Sequence, residues 1–237
     1  MYLSVILTIG IIILIHEAGH FAAARAAGIP VERFSIGFGP LLWKKKTSRG
    51  TEFALSAIPI GGYLLPAISD EAAWFLIPVR KRILLSLGGP LANLAAALVA
   101  ISILNLFQGH VSLHAVLAAP FHQLAGIIIS MVTAIPKLFS QPEQLSGIVG
   151  IVAQGEAMTG GSLIRLLQFS IIININLAVL NMLPFPALDG GKIVLHLLEA
   201  LHPRLRALQV PLSLAGWFAI IGLMVYVTVQ DIGKLVG

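Results

Sequence analysis

Four stretches of the chain are almost continuously apolar, and each is close to the length that crosses a lipid bilayer as a helix, about 20 residues. A fifth apolar stretch, 115–135, is interrupted by Pro120, His122 and Gln123. This interruption predicts a segment that lies in the membrane interface or enters the bilayer only part-way. The four uninterrupted stretches, which predict transmembrane helices, cover residues 3–24, 83–107, 166–183 and 210–229.

Between the first two stretches the pattern changes from continuous to alternating. The segments "RFSIGFGP" and "GTEFALSAIPIGGYL" place apolar and polar residues in turn, which is typical of strands, and Gly61 and Gly62 allow a sharp bend. Residues 33–65 therefore predict a β-hairpin region. The fold class that follows is an α-helical polytopic membrane protein, built as a single domain over residues 1–237 with about four transmembrane helices.

Composition supports the membrane assignment, because 57% of the residues are hydrophobic and 11% are charged, with a mean hydropathy of +0.95. Ordinary soluble domains carry about 25% charged residues. The formal net charge of +5 does not indicate nucleic acid, since nine of the fifteen basic residues lie between Arg25 and Arg82, beside the ends of the first two spans. The partner that this charge pattern predicts is the lipid bilayer.

Basic residues cluster in the cytoplasmic loops of membrane proteins. The loop between the first two spans is accordingly predicted to be cytoplasmic, as is segment 184–209, whereas both termini and segment 108–165 are predicted to be external. The first and third spans then run in the same direction, provided that stretch 115–135 does not cross completely.

The first span contains "HEAGH", with three ionisable side chains at membrane depth. Each such group is unfavourable by roughly 2.5–3.5 kcal/mol or more at the centre of a membrane helix, so a function is expected. On a helix His16 and His20 leave the same face one turn apart and can bind one metal ion, while Glu17 lies beside the metal as a general base. The alternative is a buried polar cluster that only holds helices together.

A catalytic zinc usually has three protein ligands, so the two histidines require a third. Asp189 in "NMLPFPALDGGK" is the candidate, directly after the third span. Pro184 and Pro186 are expected to end the helix, and Gly190 and Gly191 to release the backbone, so that a short non-helical stretch presents the carboxylate. The alternative interpretation of "LDGG" is an ordinary turn. With the predicted topology, all three ligands fall in the cytoplasmic half of the membrane, whereas a complete fifth crossing would separate them.

These motifs together resemble the site-2 protease family of intramembrane zinc metalloproteases. "HEAGH" and "NMLPFPALDGG" are joined by "RFSIGFGP", "GTEFALSAIPIGGYL", "GGPLANLAAA" and "LSGIVGIV", which stand in the same order in the bacterial branch that cleaves anti-sigma factors, the regulator of sigma-E protease branch. The resemblance covers nearly the whole chain. It implies an enzyme of the bacterial inner membrane that cleaves single-span membrane proteins in or near their transmembrane segment, such as anti-sigma factors or signal-peptide remnants.

The resemblance also implies roles for individual residues. Zn²⁺ would be bound by His16, His20 and Asp189, with Glu17 as the catalytic base. Residues 33–65 would form a membrane re-entrant β-structure that receives substrate as an added strand, and Gly61 and Gly62 belong to that substrate-binding region. Asn181 matches a family position that holds the substrate backbone or the oxyanion, a role that suits a neutral amide donor.

One departure from that branch is predicted. Segment 108–165 stands where the branch inserts one or two PDZ domains, and about sixty mostly apolar residues are too few for a PDZ fold together with "LSGIVGIV". Two other functions are considered besides proteolysis: a polytopic metal-binding or transport protein, and an inactive membrane adaptor. A binding site alone does not need Glu17, and an inactive adaptor does not need the complete set of four groups. The sequence does not determine the oligomeric state.

Overall fold

A computed structural model describes residues 2–48, 50–68, 70–140 and 145–236. Helices dominate this part of the chain, together with one pair of long antiparallel strands. A 3₁₀ helix, Pro203–Leu208, precedes the last α-helix. The elements in chain order are α1 (Tyr2–Ala27), β1 (Val31–Lys46), β2 (Glu52–Pro66), α2 (Glu71–Leu76), α3 (Val79–Phe107), α4 (Leu113–Leu117), α5 (Ala119–Ser140), α6 (Ile148–Thr159), α7 (Leu163–Asn181), α8 (Asp189–Leu201) and α9 (Gln209–Val236).

Five helical segments of the described chain are long and apolar enough to cross a membrane, which confirms the prediction of an α-helical polytopic membrane protein. Four of them match the four predicted spans: α1, α3, α7, and the segment Pro203–Gly233, which includes the 3₁₀ helix and most of α9. The fifth is Leu113–Pro136, so stretch 115–135 is helical at a length that suffices for a complete crossing. The interruptions do not break it, because Pro120 stands in the first turn of α5, where a proline has no hydrogen bond to lose.

The described helices of segment 108–165 pack against the neighbouring spans. The α5 residue Leu124 packs with Ala100 of α3 and Ile171 of α7. After α5, the shorter apolar helix α6 packs on α7, with Gly155 against the ring of Phe169, and Gly160, with φ of +49°, follows the end of α6. Residues 141–144 of this predicted external segment lie outside the described residues, and the described remainder of 108–165 contains helices but no strand.

The two strands confirm the β-hairpin region predicted at residues 33–65. They bend so that the first part of β1 pairs with one segment of β2 on one side and with another segment of β2 on the other side. Arg33 pairs with Leu65 in one direction and with Glu52 in the other. The second part of β1 pairs only with the first part of β2, as in Lys46 with Glu52. The N–H of Thr47 donates to the carbonyl of Thr51 at 2.8 Å where the two strands are joined, while Gly61, with φ of +89°, marks a bend inside β2. Residues 62–66 consequently form one edge of the sheet.

Two apolar clusters hold this arrangement. One joins α3, α5 and α7, and the other joins the end of α1 to β1 and α3 beneath the sheet. The second cluster fixes the sheet beside the C-terminal half of α1, which carries the "HEAGH" motif. Their buried members are Ala97, Ala100, Ile101, Leu124, Ile171 and Ile175 in the first, and Ala24, Ala27, Ile29, Val31 and Leu85 in the second.

Candidate metal centre

Helix α1 presents its two histidines to α3 at a point where the helix backbones almost touch. A Cβ atom on Gly19 would overlap the carbonyl of Gly88, and one on Gly89 would overlap the imidazole of His20 and that of His16. Small residues allow such close approach of membrane helices. The Nε2 atoms of His16 and His20 lie 3.2 Å apart, as the four-residue spacing predicted.

Asp189 completes the group from a different part of the chain. Its Oδ2 lies 3.2 Å from Nε2 of His16 and 3.2 Å from Nε2 of His20. The carboxylate is 5% exposed, and its other oxygen, Oδ1, accepts a hydrogen bond of 3.0 Å from Lys192 Nζ. One oxygen is thus held by a lysine and the other is directed toward the imidazoles.

The local backbone at Asp189 differs from the prediction. Asp189 is the first residue of α8, so the carboxylate stands at a helix N-terminus and not in a non-helical stretch. Gly190 and Gly191 are helical, and a Cβ on either would overlap the backbone of Met182 or Phe185. The glycines are needed for this close contact of α8 with the 182–188 loop, and not for a release of the backbone.

The three ligand atoms fit a zinc ion. Zinc–ligand bonds of about 2.0–2.1 Å at a tetrahedral centre place neighbouring ligand atoms about 3.3 Å apart, close to the three observed separations of 3.2 Å. The Nδ1 atom of His20 donates to the carbonyl of Leu85 at 2.7 Å, which leaves a lone pair on Nε2 for a metal. Within the described ranges, His16, His20 and Asp189 form the one group of three or more such ligands.

Glu17 is not a member of that group. Its side chain is half-buried, on the next residue of α1 after His16, and its Cγ lies 3.4 Å from the position of a Cβ built on Gly62. Glu17 therefore lies next to His16 in the sequence and has the edge of the β-sheet beside its Cγ. The general-base role assigned to Glu17 stays a prediction.

The other predicted substrate-binding residues lie in two places. Gly61 bends β2 and packs on the ring of Phe38, where a Cβ would come within 2.7 Å of the ring. Asn181 is the last residue of α7, and its amide donates to the carbonyl of Leu177 in its own helix at 3.0 Å. The oxyanion role assigned to Asn181 stays a prediction.

Three residues at the centre were not singled out from the sequence. Lys192 lies three residues after Asp189, a spacing that brings side chains together on a helix, but the signal depends on knowing that the helix begins at Asp189. Leu85 acts through its backbone carbonyl, which no sequence pattern reveals. Gly89 stands within "GGPLAN", and its role appears only once α1 and α3 are seen in contact.

The sequence profile of peptidase family M50 matches residues 4–227 of the chain. The chain belongs to peptidase family M50. The match covers all of the centre, from the two histidines of α1 to Asp189 of α8.

Two curated relatives are similar to parts of the chain. The "Regulator of sigma E protease" of Haemophilus influenzae is 42% identical over 113 residues, which are 44% of this chain and 26% of that protein. The "Regulator of sigma-E protease RseP" of Escherichia coli K12 is 40% identical over 108 residues, or 41% of this chain and 24% of that protein. The alignments span about a quarter of the length of these relatives.

Proposed function

We propose that this protein is an intramembrane zinc endopeptidase in which His16, His20 and Asp189 bind zinc and Glu17 is the general base. The observation that carries the proposal is the buried triangle of ligand atoms, each 3.2 Å from the others, with a separate carboxylate beside it. Membership of peptidase family M50 and the names of the relatives support the same activity.

The chemistry divides between the metal and the chain. When bound, zinc acts as a Lewis acid that polarises the scissile carbonyl and makes water a stronger acid. Glu17 would accept a proton from the attacking water and donate it to the leaving amine as the peptide bond breaks. Lys192 holds one oxygen of Asp189, and Leu85 fixes the tautomer of His20, so both contacts orient ligands before substrate arrives.

The edge of the β-sheet supports a way of binding substrate. Residues 62–66 of β2 pair with the first part of β1 on one side, and on their other side no strand pairs with them within the described chain. An extended peptide added there would be held by main-chain hydrogen bonds, which tolerate varied side chains. Because Gly62 lies next to Glu17, the added strand would pass close to the base and the metal.

This mode of binding suits a substrate that is helical in the membrane. The peptide bonds of a helix are shielded by its own hydrogen bonds and side chains, so the helix must unwind before hydrolysis. Strand addition replaces the helical hydrogen bonds with bonds to the enzyme. The proposed substrates are therefore single-span membrane proteins, cut in or near the transmembrane segment.

The proposed location is the bacterial inner membrane, with both termini external and the centre in the cytoplasmic half. The basic residues near the start of α3 and at the end of β1 support this orientation. The histidines lie in the C-terminal half of α1, and Met182, directly after α7, packs against Gly190 beside Asp189, which supports parallel crossings of α1 and α7 from the external side.

The test is proteolysis in cells. The chain is co-expressed with a panel of single-span membrane proteins that carry tags on both sides, and cleavage is compared between the wild type and Glu17→Gln. The proposal expects a cytoplasmic fragment from at least one substrate with the wild type and none with Glu17→Gln at equal expression. Equal cleavage by both proteins would refute the assigned base, and no cleavage across a broad panel would refute the proposed activity.

A further inference from the structure

A buried ion pair lies outside the metal centre and is not used by the proposed chemistry. Arg82 of α3 and Glu199 of α8 have side chains that are 1% and 2% exposed. The two groups meet in a bidentate contact, with Nη1 donating to Oε2 at 2.7 Å and Nη2 donating to Oε1 at 2.8 Å. This geometry is the strongest that an arginine and a carboxylate adopt.

Both groups have further hydrogen-bond partners. Arg82 also donates through Nε to the carbonyl of Ile77 at 3.0 Å and through Nη1 to His196 Nδ1 at 3.3 Å. Glu199 accepts additional hydrogen bonds of 2.9 Å from each of Arg206 and Gln209. We call Arg82, His196, Glu199, Arg206 and Gln209 the Arg82 cluster.

The protonation states fit these contacts. Burial and the positive charge of Arg82 lower the pKa of His196 to about 4, so at neutral pH its Nδ1 is free to accept a hydrogen bond. Burial opposes ionisation of Glu199, but the hydrogen bonds from Arg82 and Gln209 outweigh it and lower the pKa of that carboxyl. Arg82 therefore faces one anionic acceptor, Glu199, and two neutral acceptors, the imidazole of His196 and the carbonyl of Ile77.

The Arg82 cluster connects the two helices that shape the metal centre. On α3, Arg82 lies one turn before Leu85, whose carbonyl holds His20. On α8, Glu199 lies ten residues after Asp189, about 15 Å along the helix. The N-terminal end of α8 is fixed by the contacts of Gly190 and Gly191 with the preceding loop, and its other end is fixed by Glu199.

Stability alone is a weak explanation for such a pair. A buried ion pair roughly breaks even against apolar side chains of similar volume, and replacement by apolar residues is often neutral or stabilising. A bidentate pair nevertheless fixes direction and spacing, which apolar contacts do not. The spacing fixed here is that between α3, which supports the histidines, and α8, which carries the third ligand.

We propose that the Arg82–Glu199 pair is a positioning device that holds α8 so that Asp189 meets His16 and His20. The inference rests on the proposed assignment of these three residues as zinc ligands. It makes Arg82 and Glu199 positioning residues, because neither contacts the metal ligands directly. Their loss is expected to weaken zinc binding even where the protein remains folded.

The test uses the double variant Arg82→Met with Glu199→Leu, which removes both charges and leaves neither buried alone. Zinc retention of purified protein is measured in detergent against a graded series of chelator concentrations, beside thermal unfolding of the metal-free protein. The metal-free double variant is expected to unfold at a temperature close to that of the metal-free wild type. Its zinc affinity is expected to be about 10–100-fold weaker, the range typical of residues that orient ligands. Zinc affinity within twofold of wild type in the folded double variant would overturn the proposal.

A second variant decides the question if the double variant does not fold. Arg82→Lys keeps the charge but loses the bidentate fork, so zinc affinity is again expected to fall. The matched control is Arg80→Lys, the same substitution at an exposed position two residues away on α3. Equal zinc affinity in both lysine variants would also overturn the proposal. Failure of the proposed zinc site itself is distinguishable, because wild type would then bind zinc no better than a His16→Ala variant.

Discussion

Gly62 provides a sharp test of the contact between the β-sheet edge and the base. In Gly62→Ala the new methyl group would lie 2.7 Å from the carbonyl oxygen of Ser35 and 3.4 Å from Cγ of Glu17. Ordinary carbon–oxygen contacts begin near 3.3 Å, so the strand or its neighbour must move by about 0.6 Å. Ser35 is fully buried, which leaves β2 and the Glu17 side chain as the parts that yield.

The expected consequence is a loss of rate without a loss of metal. A misplacement of about 1 Å at a reacting group can lower the rate 100-fold, so a shift of about 0.6 Å is expected to lower kcat roughly tenfold. The three proposed zinc ligands lie on α1 and α8, not on the sheet, so zinc content should stay at the wild-type value. The assay is cleavage of a tagged single-span substrate by purified enzyme in detergent, with zinc measured on the same samples.

Two further alanine variants bracket this result. Gly222→Ala is the control, because no other part of the described chain lies within 4 Å of its new Cβ, and it should keep wild-type kcat and zinc. Gly89→Ala places a methyl group against both imidazoles and should lose zinc as well as activity. If Gly62→Ala binds zinc and keeps the wild-type kcat, the proposed contact between the sheet edge and the proposed base Glu17 is refuted.

Two other predictions concern orientation and substrate size. The chain has no native cysteine, and His114 and Lys45 are both exposed, so each can be replaced by Cys for labelling. A membrane-impermeant thiol reagent on intact cells should label the Cys at 114 but not the Cys at 45. The reverse labelling would overturn the proposed topology. Because the described residues of 108–165 form helices, the enzyme should also accept larger external substrate domains than a relative that carries a PDZ domain. Equal size limits, measured with one substrate series on both enzymes, would contradict this expectation.

Sequence patterns predicted the elements whose signals are local. The four uninterrupted spans follow from hydrophobic runs, and the pairing of His16 with His20 follows from the period of a helix. Asp189 was predicted because a carboxylate at membrane depth needs a function and the histidines needed a third ligand. The structure brings these three side chains together.

The remainder depends on contacts between distant parts of the chain. Arg82 looks like one more basic residue beside a span, and its partner Glu199 is 117 positions away. The helical start of α8 brings Gly190 against the backbone of the preceding loop, a contact that the sequence does not reveal, so the glycines were interpreted as releasing the backbone in a non-helical stretch. For stretch 115–135 the sequence predicted an interfacial or re-entrant segment, and the structure shows a helical segment there, Leu113–Pro136, that is long enough to cross a membrane.

The most direct test of the central claim compares two variants at the metal centre. Glu17→Gln keeps all three proposed ligands, so dialysis against a mild chelator should leave about one zinc per chain, as in the wild type, while cleavage is abolished. Asp189→Asn replaces a charged oxygen ligand with a neutral amide, so its zinc affinity should fall by more than the roughly 10–100-fold typical of residues that only orient ligands. Zinc retained by Asp189→Asn and lost by Glu17→Gln would contradict the account and make Glu17 a ligand.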